Sequence, residues 1–339
     1  MVVDDSPFMR KVIKETLSKD PSIEVVALAR NGVEALEKLG PDIDVVTMDF
    51  EMPEMDGIAS LCEIRRRQHP CRVLMVSAYT SAGAEITIRA LREGAEDFVL
   101  KPMEFSDHAG ELFQEDLRRK IQSLRRRRSL SSTGSSGHTA GRILNKAQQI
   151  DLVAFGASTG GPNALRAILT AIPKTFPVPI VIAQHMPHMF TSLLARDLSI
   201  AGGMEVVEGA PDLPLLAGRA ILAPGGFNLM VSFRGAKMIC RLEPSSSDPA
   251  VPSPSVDALF RSLAAQAQRI LAVVLTGIGH DGTAGLRVLR DGGAVTLAQD
   301  EDSSVVYGMP RAAVEADAVD EIVPVDRMAP RILDYVLRR

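Results

Sequence analysis

Two rhythms of apolar residues run through this chain. Short runs rich in β-branched and other apolar residues, VVTMDF (45–50), RVLMVSA (72–78) and DFVLK (97–101), read as strands. Between them, apolar residues recur every three or four positions. Met9, Val12, Ile13 and Leu17 mark one helical face, and Val33, Leu36 and Leu39 mark another in a helix opening at Asn31-Gly32. Strand–helix alternation predicts a parallel sheet covered by helices on both faces. Only Met1-Val2-Val3 stands before the acidic pair Asp4-Asp5, so the first strand is expected to be short.

The same rhythm returns later. Strands are predicted at 152–156, 179–184, 219–224, 270–277 and 294–299, and helices at 161–171, 188–198, 255–268, 282–290 and 309–316. These strands are almost continuously apolar, as strands buried on both faces must be. The segments 228–233 and 237–242 alternate polar and apolar residues and suggest an antiparallel hairpin. Between the halves, RRKIQSLRRRRSLSSTGSSGHTAGR (118–142) is dominated by Arg, Ser and Gly. It has too little apolar surface to offset the entropy of ordering, so it reads as a basic linker, whose start could also be read as the end of a helix. The expected organisation is an α/β domain over 1–117, a flexible linker over 118–146 and a second α/β domain over 147–339.

The length of 339 residues also favours two domains at roughly 150 residues each. Trp is absent and aromatics are 4% of the chain, so Val, Leu, Ile, Ala and Met must build the cores. The net charge of −4 argues against a globally basic nucleic-acid binder. Cys62, Cys71 and Cys240 are odd in number and show no CxxC spacing, which points to reduced thiols rather than disulfides or structural zinc. No apolar run approaches the ~18 residues needed to span a bilayer, and the start resembles no signal peptide. A cytoplasmic protein without membrane insertion is expected.

Two constellations carry chemistry. The first gathers at strand ends: Asp4 and Asp5, Asp49, Ser77 and Lys101. In an open parallel sheet the carboxyl ends share one edge, where ligands bind. Three carboxylates there make a hard oxygen site suited to Mg²⁺ and would repel one another without a cation. A lysine and a hydroxyl beside them suit a phosphoryl group. Taken singly, each residue is bland, since a strand-end Asp is more often a helix cap or turn residue.

The second constellation is Ser158, His185 and Asp281. Gly156-Ala157-Ser158-Thr159-Gly160 is a G-x-S-x-G turn between a strand and a helix, and the other two residues follow later strands. A serine hydroxyl needs a base, imidazole serves as one, and a buried carboxylate fixes its tautomer. Other readings compete. His185-x-x-His188 could ligate zinc, although no third ligand stands nearby. Gly277, Gly279 and Gly282 spell G-x-G-x-x-G, with Asp300 about 20 residues on, a dinucleotide-binding pattern. A binding module without catalysis remains open. A transcriptional regulator would need a helix-turn-helix after the linker, and none is seen.

Residues 1–105 resemble a response-regulator receiver domain through VVDDSPFMR, TMDFEMPEMDG, VSAYT and GAEDFVLKP. The resemblance implies a flavodoxin-like, doubly wound parallel sheet with Asp49 as phosphoryl acceptor. Asp5 and Asp49, with Asp4 in support and the backbone carbonyl of Glu51, would hold Mg²⁺. Lys101 would pair with the phosphoryl group, Ser77 would move to bond it, and Phe98 stands where the switch aromatic is found. Receivers of this kind usually carry several residues before the acidic pair's strand.

Residues from about 150 to 335 resemble the catalytic domain of the chemotaxis protein-glutamate methylesterases, the CheB family. The matching text is FGASTGGPNAL, IAQHMPHMFT, LAPGG, PSVDALFRSLA, LTGIGHDGTAGL and LAQDEDSSVVYGMPRAAVE. That resemblance implies a Rossmann-like α/β domain with a mainly parallel sheet and no cofactor. Ser158 would be nucleophile, His185 base and Asp281 its orienting partner. Backbone N–H groups near Thr159 and Ile278 would form the oxyanion site, and Ile278 stands where the family usually has Met. Asn228 stands where the family often has His, with no evident role. The implied activity is demethylation of glutamyl methyl esters on methyl-accepting chemotaxis receptors, with deamidation of glutamines as related chemistry. A chemotaxis histidine kinase would phosphorylate Asp49 and thereby relieve occlusion of the Ser158 cleft.

Overall fold

The computed structural model describes residues 1–78, 80–103, 106–125, 148–235, 237–246 and 251–337. The chain divides into two compact units, Met1–Ser132 and Thr133–Arg339. Tyr79 and residues 126–147, which include most of the expected linker, lie outside the described residues.

The first unit runs β1 (Val2–Val3), α1 (Pro7–Ser18), β2 (Leu28–Ala29), α2 (Gly32–Glu37), β3 (Val45–Asp49), α3 (Gly57–Arg66), β4 (Arg72–Ala78), α4 (Ser81–Arg92), β5 (Asp97–Lys101) and α5 (Asp107–Leu124). Its five strands are parallel in the order β2-β1-β3-β4-β5. β1 has only two residues, yet it pairs on both sides: Val2 with Leu28 and Thr47, Val3 with Ala29 and Met48. Both valines are fully buried, so a short strand still closes the centre of the sheet.

At the start of the expected linker the helical alternative holds. α5 continues through Leu124, so residues 118–124, assigned to the linker from composition, are helical. The cause is a sparse apolar face: Phe113, Leu117, Ile121 and Leu124 are buried at three- and four-residue spacing beneath the polar text. Lys120 on the same helix donates to the Phe98 carbonyl at 2.5 Å and ties α5 to β5.

The second unit contains β6 (Leu152–Ala157), α6 (Gly161–Ala171), β7 (Ile180–Gln184), α7 (His188–Gly202), β8 (Glu205–Glu208), β9 (Arg219–Leu222), β10 (Phe227–Arg234), β11 (Lys237–Pro244), α8 (Val256–Ser262), a 3₁₀ turn (Ala264–Arg269), β12 (Ile270–Val274), α9 (Thr283–Asp291), β13 (Val295–Gln299), α10 (Met309–Glu315), β14 (Glu321–Val323) and α11 (Val325–Val336). Seven parallel strands lie in the order β14-β13-β12-β6-β7-β9-β8. β10 and β11 form the expected antiparallel hairpin, from Phe227 opposite Pro244 to Arg234 opposite Lys237. The helix predicted over 255–268 is broken: α8 ends at Ser262 and Gln266 leaves helical geometry. The strand predicted over 270–277 stops at Val274: Leu275 still donates its N–H to the Gly156 carbonyl of β6 at 2.8 Å, and the Thr276 hydroxyl then turns to the Thr159 carbonyl in the loop after β6.

Strand order fixes where each site can form. In the first sheet the order reverses between β1 and β3; in the second it reverses between β12 and β6. Loops leave such a switch point in opposite directions and open a crevice at the carboxyl ends.

Candidate functional site

In the first unit, Asp4 and Asp5 follow β1 and Asp49 ends β3, on either side of the switch point. One carboxylate oxygen from each lies within 4.8 Å of the others. Asp4 is fully buried, and its Oδ1 accepts the Ser6 N–H at 2.9 Å. Arg10 on α1 donates to the carbonyls of Asp4 at 2.7 Å and Asp5 at 2.9 Å, pinning the acidic pair by its backbone. Lys101, at the end of β5, reaches both Asp49 Oδ2 at 2.8 Å and Asp4 Oδ2 at 2.9 Å. Burial pushes the Asp49 carboxyl up to about 6, Lys101 opposes the shift, and the Asp4 charge adds to it. Burial alone would lower Lys101, but Asp49 and Asp4 hold its ammonium above the usual lysine value. The cluster thus carries more negative charge than one lysine offsets, and its donors are all hard oxygens. That composition fits a divalent cation such as Mg²⁺.

The other residues expected there stand at different distances from this chemistry. Glu51 and Asp5 line a cleft that continues between α3 and α4 past Asp56, Cys62 and Arg89. Ser77 is fully buried, and its hydroxyl sits 2.9 Å from that of Thr87 on α4. Thr87 in turn donates to the Gly83 carbonyl at 2.6 Å. Phe98 is buried, with the Lys120 ammonium 5.3 Å from its ring centre.

In the second unit the same edge logic gathers Ser158, one residue past β6, His185, one past β7, and Asp281, between β12 and α9. The G-x-S-x-G turn is tight because its glycines allow it. Gly160 has φ +79° and caps α6, and a Cβ there would lie 2.6 Å from Val305. Gly277 approaches Ser158 so closely that a Cβ would sit 2.7 Å from the serine Cβ. Ser158 donates its N–H to the Thr276 carbonyl at 3.0 Å, which ties the turn to the loop after β12.

His185 Nε2 lies 2.8 Å from Asp281 Oδ2. Asp281 is buried and takes four further donors: the N–H groups of Val256 at 2.7 Å, Asp257 at 3.0 Å and Gly282 at 3.0 Å, and the Ser255 hydroxyl at 3.2 Å. Burial pushes this carboxyl up, but the hydrogen bond and charge of His185 and the two α8 amides bring it below the usual aspartate value. An ionised Asp281 requires the proton on Nε2, which leaves Nδ1 of His185 as the basic nitrogen. No hydrogen bond joins the Ser158 hydroxyl to His185 in this structure. Catalytic contacts of this kind often close only around substrate.

The expected oxyanion donors flank the same turn. The Thr159 carbonyl accepts the Thr276 hydroxyl at 2.9 Å. The Ile278 N–H finds no acceptor among the described residues. Gln184 escaped the sequence reading: fully buried, it donates Nε2 to the carbonyls of Ser158 at 2.9 Å and His185 at 3.0 Å. It therefore fixes the backbones of Ser158 and His185 relative to each other. Only its place in QHMP hinted at a role.

Competing readings lose their footing here. At the G-x-G-x-x-G turn, the Gly282 N–H is already taken by the Asp281 carboxylate, so an anion is seated where a pyrophosphate would go. Among the described residues, the one group of acidic or His/Cys side chains close enough to share a metal is Asp4, Asp5 and Asp49, so His185 and His188 form no such cluster. No helix among the described residues is long and apolar enough to cross a membrane.

Comparison with known proteins places both halves of the chain in known families. Residues 153–332 match the CheB methylesterase family and residues 1–111 match the response regulator receiver domain. A protein-glutamate methylesterase/protein-glutamine glutaminase of Geobacillus kaustophilus is 42% identical over 343 residues, covering 99% of this chain and 98% of that protein. One from Caulobacter vibrioides is 42% identical, covering 100% and 98%. The CheB methylesterase catalytic domain of Thermotoga maritima, a crystal structure, is 32% identical over 55% of this chain and 98% of its own, with a TM-score of 0.53. The chain belongs to the CheB methylesterase family, with a response regulator receiver domain ahead of its catalytic segment.

Proposed function

We propose that this protein hydrolyses γ-glutamyl methyl esters on methyl-accepting chemotaxis receptors in the cytoplasm, using Ser158, His185 and Asp281. The observation that carries the reading is the 2.8 Å pair of His185 and Asp281 at the sheet edge where Ser158 stands. Ser158 Oγ attacks the ester carbonyl while Nδ1 of His185 takes its proton. The imidazolium so formed is stabilised by Asp281, and the oxyanion by N–H groups at Thr159 and Ile278. His185 then protonates the departing methoxide, and methanol leaves an acyl-Ser158. Water, deprotonated by His185, attacks the acyl carbonyl; the bond to Ser158 Oγ breaks, His185 returns the proton to that oxygen, and the glutamate leaves. An amide in place of the ester gives glutamine deamidation by the same steps.

Phosphorylation of Asp49 by a chemotaxis histidine kinase would raise this activity. Asp5, Asp49 and the Glu51 carbonyl, with Asp4 in support, would hold Mg²⁺, which when bound neutralises charge at the phosphoryl group. Lys101 is already paired with Asp49 and would transfer to the phosphoryl oxygens. Ser77 would leave Thr87 to join it, and Phe98 would respond as the switch aromatic. The proposed boundaries are a receiver whose helix α5 runs to Leu124, a linker from there to 146 and a catalytic domain from 147.

A fluorophosphonate probe tests the nucleophile directly. Mass spectrometry should find one adduct, on Ser158, and His185→Gln should slow labelling by about 10³-fold. An adduct on another residue, or labelling indifferent to His185→Gln, would sink the reading.

A further inference from the structure

Asn228 is the second residue of β10, away from the three strands that supply the triad. Its Oδ1 accepts the backbone N–H of Ser255 at 2.8 Å and lies 3.2 Å from the Ser245 hydroxyl. A backbone N–H can only donate, so the atom facing it is the carboxamide oxygen. Ser255 is the N-cap of α8: its hydroxyl accepts the Ala258 N–H at 3.2 Å and lies 3.2 Å from Asp281 Oδ1. The next two N–H groups of that turn, Val256 and Asp257, also point at Asp281. Three of the five donors on the orienting carboxylate therefore come from one turn of chain.

What holds that turn in place is unusual in its source. A helix start often closes on itself, with a Glu or Gln at the third helical position reaching back to the N-cap N–H. Here that position is Ala258, which cannot reach back. Asn228, 27 residues away, supplies the acceptor from a different element. We propose that Asn228 is a positioning residue for the proposed ester hydrolysis: its carboxamide oxygen sets the N-cap of α8, and through it the direction of Asp281 and the His185 ring. This rests on the triad reading given above.

The test measures kcat and KM for receptor demethylation in the full chain. It also follows the downfield ring-proton NMR resonance of the His185–Asp281 hydrogen bond, which needs no turnover. Asn228→Ala removes the acceptor, while Asn228→Asp keeps an oxygen in its place. The proposal expects Asn228→Ala to lower kcat about tenfold with KM unchanged and to move or broaden the resonance. Asn228→Asp should keep kcat within about threefold of the parent and preserve the resonance. An unchanged kcat and resonance in Asn228→Ala would overturn it, whether or not the melting temperature falls. Equal losses in the two variants would also overturn it, since the oxygen would then not be what matters. Should Asn228→Ala not fold, Asn228→Ser, whose hydroxyl is too short to reach, is read in the same way. His185→Gln separates the two layers: if it keeps full activity the triad reading fails, while the resonance in the Asn228 variants still reports on the geometry.

Discussion

Asp281 shows how much structure stands behind one functional atom. Five donors converge on its two oxygens, and their sum keeps it ionised in a buried place. Asp281→Asn would replace an acceptor with a group that can present N–H to the ring and favour the wrong tautomer. A fall in kcat of about 10³- to 10⁴-fold is expected from ester-hydrolysis kinetics, with little change in KM. Asp49 is the opposite case, a carboxylate that burial makes harder to ionise. Its native pKa of about 6 exceeds the unfolded value near 3.8, so the native state binds its proton more tightly. This group's contribution to stability therefore falls as pH rises from about 4 to 6 and stays low above that. In chelator at pH 7, Asp49→Asn should stabilise the receiver by about 1–2 kcal/mol in urea titrations, and the gain should vanish near pH 4. That Ser158, His185 and Asp281 share one sheet edge was legible in sequence, because each follows a strand inside a contiguous motif. Gln184's bridging role and the Asn228–Ser255 link were not, because their partners lie on elements brought together only by the fold.

At the scale of elements, the turns around Ser158 are held by close backbone approach. Gly277 lies against the Ser158 Cβ and the Met309 sulfur, so Gly277→Ala must push Ser158 or α10 aside. Overpacking of this kind costs about 1–3 kcal/mol, and slower fluorophosphonate labelling of Ser158 should accompany the drop in unfolding free energy. The strands on which these turns hang were readable because they are buried on both faces and therefore continuously apolar. β2, β8 and β14, of two to four residues, were not readable, since such short segments carry no period. The break between α8 and the 3₁₀ turn was likewise hidden: residues 255–268 keep a helical pattern of apolar positions through the kink at Gln266. α5 went the other way, its arginines disguising a helix whose buried face is only one residue wide at each turn.

The whole molecule repeats one device twice. Each sheet reverses its strand order once, and in each the candidate site residues gather at the crevice that the reversal opens. Two α/β units were legible because the strand–helix rhythm stops and restarts around an Arg/Ser/Gly stretch. If the receiver restrains the esterase, deleting residues 1–140 should raise basal demethylation by about tenfold, in the range of ordinary coupling energies. Basal activity unchanged by that deletion would mean that the receiver acts in some other way.

The most direct measurement is methanol release from methylated receptor membranes, with Mg²⁺ and a small phosphodonor present or absent. Parent, Ser158→Ala and Asp49→Asn proteins would be run side by side. The predicted result is release that disappears in Ser158→Ala and rises with phosphodonor in the parent but not in Asp49→Asn. Undiminished release by Ser158→Ala, or no release by the parent, would contradict the account.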